Sequence, residues 1–267
     1  MARHVLVTGA ASGIGAGVCR AFAALGDRLT GVDLRGDVLD EALAIITREH
    51  GLPTAAIVCD LADVTPAERL VAEAWDRHGP VDVLVNAAGI YPATPFLDMT
   101  AAAWDRVQHV NVRAPMLTTV CFGRRAVEAG RGGCVVNISS GAALRARPGA
   151  AHYCTSKAAV EMLTRAAAIE LGGHGIRVNA VSPGFVEVDS AVNPVTEAYA
   201  EAVSANPLGR RGQPADIAAA VVWLASEAAA WVTGSIVRVD GGASAGTTAL
   251  PLHWPEMTAV QRGARPE

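Results

Sequence analysis

Lysine is almost missing from this chain: of 22 basic side chains, Lys157 alone is lysine and the rest are arginine. Arginine is a flat, permanently charged fork, whereas lysine is a compact point charge with three rotatable donors. A chain that meets its other needs for positive charge with arginine keeps its one lysine for something guanidinium cannot do. Charge of either sign is scarce, at 18% of residues with a net charge of −4. That leaves no electrostatic footprint for nucleic acid or an anionic membrane surface. No uninterrupted apolar run approaches the ~20 residues of a membrane-spanning helix. The opening "MARHVLVTGA" has neither the apolar core nor the cleavage site of a secretory signal. The five cysteines are odd in number and lack C-x-x-C or C-x-x-H spacing, which excludes a regular disulfide frame and a zinc site. A cytoplasmic protein with reduced thiols and no metal is expected.

What the chain does have is apolar material, 51% of its 267 residues, enough to fill a sizeable core. Short β-rich runs, "HVLVT", "RLTGVD", "TAAIVCD", "VDVLVNAAG", "GCVVNISS", "IRVNAVSPG" and "SIVRVDGG", are separated by helical patterns at 15–25, 38–50, 66–79, 104–129, 153–171 and 214–226. Strands apolar on both faces, with helices between them, predict a parallel sheet covered on both sides. No linker or repeat divides the chain. The expected fold is therefore α/β, a single doubly wound Rossmann-type domain over 1–246 with about seven parallel strands and helices on both faces. The Pro-broken stretch 247–267 reads as a partly packed tail with a tip prone to disorder.

The first strand runs straight into "TGAASGIG" and a helix. Gly9, Gly13 and Gly15 let the backbone turn tightly, and with Ser12 and Ile14 they place a helix N-terminus where a pyrophosphate would sit. A Gly-rich turn alone is weak evidence, but here it has the strand–turn–helix setting that the chemistry needs. Asp33 ends the second strand about 18 residues beyond Gly15, where a carboxylate accepts hydrogen bonds from an adenosine ribose. A carboxylate there repels a 2′-phosphate and favours NAD over NADP, although the neighbouring Arg35 could pair with that phosphate. Asp60 and Leu61 after the third strand, with Asn86, Ala87 and Gly89 in "NAAG" after the fourth, complete a row of candidate adenosine contacts.

From about Val5 to Gly242 the chain resembles the classical short-chain dehydrogenase/reductase family. The resemblance rests on "TGAASGIG", "NAAG", Asn111 in "HVNV", Ser140 in "NISSG", the Tyr153-x-x-x-Lys157 pair, "SPG" at 182–184 and the closing "VDGG". It implies that Tyr153 is the acid/base exchanging a proton with the substrate oxygen. A phenol ionises near ~10, so it needs lowering to serve at neutral pH. Lys157, one helical turn on and on the same face, would stabilise the phenolate and hydrogen-bond the nicotinamide ribose. Ser140, chosen over Ser139 by its spacing from Tyr153, would hold the substrate oxygen. Asn111 would anchor a water linking Lys157 to solvent. Pro183, Gly184 and the main chain at Val186 would hold the nicotinamide carboxamide, with Val188 standing where the family often has threonine. The resemblance also implies a homotetramer.

Residues 187–207 are expected to form the substrate lid. Tyr91, Leu144, His152, Phe185 and Val188 are the expected pocket lining, mostly apolar, with His152 equally readable as a surface residue. Arg145 and Arg147 read more readily as a solvated loop face than as an anion site. Cys154 lies about 100° round the helix from Tyr153 and reads as a buried thiol. The expected partner is a small secondary alcohol or its ketone, used with NAD. Two other readings stand. One is an NADP-dependent 3-oxoacyl-thioester reductase for acyl-carrier protein, which Asp33 disfavours. The other is a dinucleotide-sensing binding protein without turnover, which would have no use for the Asn–Ser–Tyr–Lys set.

Overall fold

In a computed structural model, residues 2–188 and 195–246 are described. The proposed tail and lid residues 189–194 lie outside the described residues. The seven expected strands form one sheet: β1 (His4–Thr8), β2 (Arg28–Asp33), β3 (Thr54–Val58), β4 (Val83–Asn86), β5 (Gly133–Ile138), β6 (Ile176–Pro183) and β7 (Ile236–Val239). All neighbours are parallel, in the order β3-β2-β1-β4-β5-β6-β7. Along β1 the side chains alternate, Val5 and Val7 into one core and Leu6 into the other. Helices α1 (Gly13–Ala23), α2 (Gly36–His50) and α8 (Pro214–Leu224) close the first core. Helices α3 (Val64–His78), α5 (Ala114–Glu128) and α6 (Ala151–Leu171) close the second. With both faces covered, the strands are apolar on both sides, as the sequence pattern requires.

The chain leaves β1 toward β2 on one side and continues from β4 toward β5 on the other. The loops after these adjacent strands therefore part, and a crevice opens at the carboxyl ends of the sheet. The candidate site residues lie on strand ends, turns or helix starts at that edge, except Asn111 in the segment before α5 and Lys157 within α6.

Two elements differ from the sequence reading. The single helix expected over 104–129 is α4 (Ala101–Gln108), a π turn (His109–Arg113) and α5. Pro115 gives a physical reason. It has no N–H to give the Asn111 carbonyl four residues back, and its ring would collide with that carbonyl in a regular α-helix. The ladder shifts to a wider register, with the Ala114 N–H donating to the His109 carbonyl. The second difference is in the expected lid, which contains a short helix, α7 (Glu197–Ser204), started by Thr196 accepting from the Tyr199 N–H.

Candidate active site

At the end of β1 the Thr8 hydroxyl accepts from the Ala87 and Ala88 amides at 3.1 and 3.2 Å, tying the Gly-rich turn to the exit of β4. The approach is close enough to require glycine. Gly9 has φ +70, and a Cβ on it would stand 2.8 Å from the Ala88 Cα. A Cβ on Gly15 would overlap the Gly9 carbonyl oxygen. Helix α1 has no acidic residue in its first turn, and the Ser12 side chain does not cap it. Its first amides are therefore oriented toward the crevice with the helix dipole behind them, the geometry that suits a pyrophosphate. The Ser12 hydroxyl instead accepts from the Arg35 guanidinium at 2.9 Å. Asp33 accepts from the Ala11 amide at 3.2 Å and the Arg35 amide at 3.1 Å, and its carboxylate lies 3.6 Å from Arg35 Nε. Asp33, Arg35 and Ser12 thus form one linked rim beside the turn.

Asp60 is engaged by the Ala62 amide and the Arg106 guanidinium, both at 2.9 Å. Leu61 is buried beside it. Asn86 offers the crevice its main chain alone. Its side chain points down between the strands, donating to Asn137 at 2.9 Å and accepting from Thr118 at 2.8 Å. Both ends of the amide are used by the sheet, because a buried amide must be satisfied there. Only the main chain of "NAAG" borders the crevice.

Two adjacent serines end β5 with different fates. Ser139 is buried and donates to Glu161 at 3.0 Å. Ser140 starts the next turn, accepts from the Ala142 amide at 3.1 Å and hydrogen-bonds with Tyr153. One turn along α6, Lys157 is buried, with its Nζ donating to the Ile138 carbonyl at 2.7 Å and lying 5.8 Å from the centre of the Tyr153 ring. Burial sets the titration of both groups. It pushes the Tyr153 phenol up to about 12, against the Ser140 hydrogen bond and the Arg147 charge, which lower it. It brings the Lys157 ammonium down to about 8. The expected lowering of Tyr153 is therefore absent from the protein's own groups, because desolvation outweighs its polar neighbours. Asn111, in the π turn, clamps the exit of β4: it accepts from the Ile90 amide and donates to the Ile90 carbonyl, both at 2.9 Å, and donates to Ser156 at 3.1 Å. Only Gly89 separates its amide oxygen from Lys157 Nζ, each 3.5 Å from where a Cβ on that glycine would stand.

On the substrate side, the Tyr91 and Tyr153 rings lie 5.5 Å apart. Leu144 is exposed at the rim. Phe185 and Val186 are fixed at the exit of β6 by pairing with Gly212, and Arg211 covers the Phe185 ring. Pro183 ends β6, and Gly184 follows it so closely against Asp240 that a Cβ would stand 2.9 Å from the Asp240 Cα. Val188 folds over Gly13 of the phosphate turn. His152 requires a correction. It has no exposed surface, its Nδ1 accepts from the Tyr153 amide at 2.9 Å, and burial lowers its pKa. It is a neutral ring inside the protein and neither lines the mouth nor sits on the surface. Cys154 is buried against the Arg145 carbonyl, in one small cluster with Tyr153 and Ala142.

Arg145 and Arg147, read together as a solvated loop face, part company. Arg145 turns outward and donates to the Ala243 carbonyl at 3.0 Å. Arg147 turns inward, 5.7 Å from the Tyr153 ring centre and 5.8 Å from that of Tyr199 in α7. The alternation in "RAR" could have suggested opposite directions for the two arginines, but not which one faces the crevice.

A Gly-rich turn at the switch point, with Ser140, Tyr153 and Lys157 beside it, defines a dinucleotide-dependent oxidoreductase arrangement. A short-chain dehydrogenase family model, described as enoyl-(acyl carrier protein) reductase, matches residues 9–244. The galactitol 2-dehydrogenase (L-tagatose-forming) of Cereibacter sphaeroides is 43% identical over 242 residues, covering 88% of this chain and 92% of that protein. The D-threitol dehydrogenase of Mycolicibacterium smegmatis is 36% identical over 241 residues, covering 89% and 91%. Two solved structures are a 4-hydroxyisoleucine dehydrogenase complexed with NADH (30% identity, TM-score 0.80, covering 92% of this chain and 100% of that one) and a blue fluorescent protein from a metagenomic library in complex with NADPH (33%, 0.82, 91% and 98%). The chain belongs to the short-chain dehydrogenase/reductase family, oxidoreductases acting on CH–OH groups with a nicotinamide dinucleotide.

Proposed function

We propose that this protein is an NAD(H)-dependent oxidoreductase interconverting a secondary alcohol of the sugar or polyol kind and its ketone, with Tyr153 as the acid/base. The observation that carries the reading is the convergence of the Ser140 hydroxyl, the Tyr153 phenol and the Lys157 ammonium at the sheet edge beside the phosphate turn. When bound, the nicotinamide supplies hydride transfer at the carbinol carbon and, when oxidised, a positive charge that favours the phenolate. Ser140 and Tyr153 hold the substrate oxygen between them. In reduction the phenol gives its proton to the forming alkoxide, and in oxidation the phenolate takes the hydroxyl proton. Lys157 positions the ribose and supplies charge behind the ring. Because Tyr153 sits above its usual pKa, it is protonated at neutral pH. Reduction therefore proceeds at neutral pH, whereas oxidation accelerates as pH rises.

The preference for NAD rests on Asp33. A 2′-phosphate arriving at the rim meets that carboxylate, while Arg35 is already held by Asp33 and Ser12. The polyol kind is supported by the likeness to the galactitol and D-threitol dehydrogenases. A screen of sugar alcohols and other secondary alcohols with NAD and NADP in parallel tests the reading. At least tenfold higher kcat/KM with NAD is expected, about 1.4 kcal/mol of discrimination. Tyr153→Phe should lose nearly all turnover while still binding NADH. Wild-type turnover in the phenylalanine variant would sink the mechanism, and equal use of NADP would sink the cofactor assignment.

A further inference from the structure

The chain has three tyrosines, and all of them meet around one cation. Tyr91 stacks at a tilt on Tyr153. Arg147 lies over both Tyr153 and Tyr199 and donates to the Tyr199 hydroxyl at 2.5 Å. The guanidinium therefore spans from the loop after β5 to the lid helix α7, directly beside the catalytic phenol. Among the described residues Arg147 makes no ion pair, and the nearby lid acids Glu187 and Glu197 are both held by Arg211. Its Nε is buried with no hydrogen-bond partner among the described residues. A buried donor without an acceptor is costly, more so on a charged group. A planar guanidinium with terminal N–H groups left over beyond the Tyr199 bond matches a carboxylate in shape and charge.

We infer that Arg147 recognises an anionic group on the substrate, so that the alcohol oxidised here is a hydroxy acid carrying its carboxylate a few carbons from the carbinol. The inference rests on the alcohol-oxidoreductase reading above and adds a substrate class to it. Arg147 acts in binding and specificity, and the proton transfer stays with Tyr153. Contact with Tyr199 makes the lid part of the same recognition. An acid that engages Arg147 draws on a cation already bonded to α7, whereas a neutral polyol offers that cation only hydroxyls.

Calorimetric titration of the full chain in saturating NADH, with which an alcohol cannot react, tests this without turnover. The probes are matched pairs in which a terminal carboxylate replaces CH2OH: gluconate against sorbitol, and threonate against threitol. The wild type should bind each acid at least tenfold more tightly than its neutral partner. Arg147→Gln should bring each pair to within about twofold, a loss of at least about fivefold or ~1 kcal/mol. Arg147→Met, which keeps the aliphatic stem against the tyrosines, serves if the glutamine variant loses its thermal transition. Equal binding of acid and polyol by the wild type, no binding of either, or an acid preference that survives in a folded variant overturns the proposal. Acid binding through Arg147 in a chain that turns over no alcohol refutes only the redox reading.

Discussion

Lys157 is the residue where stability and activity pull apart. Its pKa falls from a usual 10.5 to about 8 because its charge is buried. The unfolded chain therefore binds the extra proton between those values, and stability rises with pH across that window. Below pH 8 the full penalty applies, on the order of 3 kcal/mol. Losing the bond to Ile138 offsets about 1 kcal/mol of any gain from removing the charge. Lys157→Met should therefore melt higher than the wild type at pH 7, with the gap closing toward pH 10.5, and should not turn over. A methionine variant that melts lower at pH 7 would show that the ammonium is stabilising. Ser140, Tyr153 and Lys157 were legible through the family resemblance that their motifs carry, to which helix geometry adds only that Tyr153 and Lys157 share a face. Arg147 was not. Its direction depends on Tyr199, 52 residues further on, and local spacing carries no trace of such a contact.

At the scale of elements, the strands and the phosphate turn were readable because β-rich runs and glycine spacing have local causes. The start of α1 was placed late, since glycines weaken a helix and Gly13 and Gly15 open this one. Their value is in close approach. Gly15→Ala would force a methyl into the Gly9 carbonyl, so the turn must open. The variant should lose most of its affinity for NADH in a fluorescence titration, and its melting temperature should fall. Unchanged affinity would mean that the turn can relax without moving its amides. The π turn was hidden for a different reason. Apolar periodicity runs through 104–129 undisturbed, and only Pro115 marks the place where the ladder changes register. Helix α7 was absorbed into the expected loop because "EAYAEAVS" is short and flanked by turn formers.

Over the whole molecule, two covering helices present apolar rows to the outside. Met162 and Ile169 are exposed seven residues apart on α6, and Val120 and Val127 likewise on α5, so each pair lies on one helical face. The two helices cover the same side of the sheet, and side-by-side apolar faces suit a two-fold contact between copies. Light scattering on the intact chain should give the mass of four chains, and a monomer would refute the assembly. A different consequence follows from the composition. A protease that cuts only after lysine has one bond to attack in all 267 residues, and that lysine is 5% exposed in the middle of the helix that carries the catalytic pair. The native chain should resist such a protease, and the denatured chain should fall into two fragments parted after residue 157. The rate of that single cut in native buffer is then a clock for how often the catalytic helix comes undone.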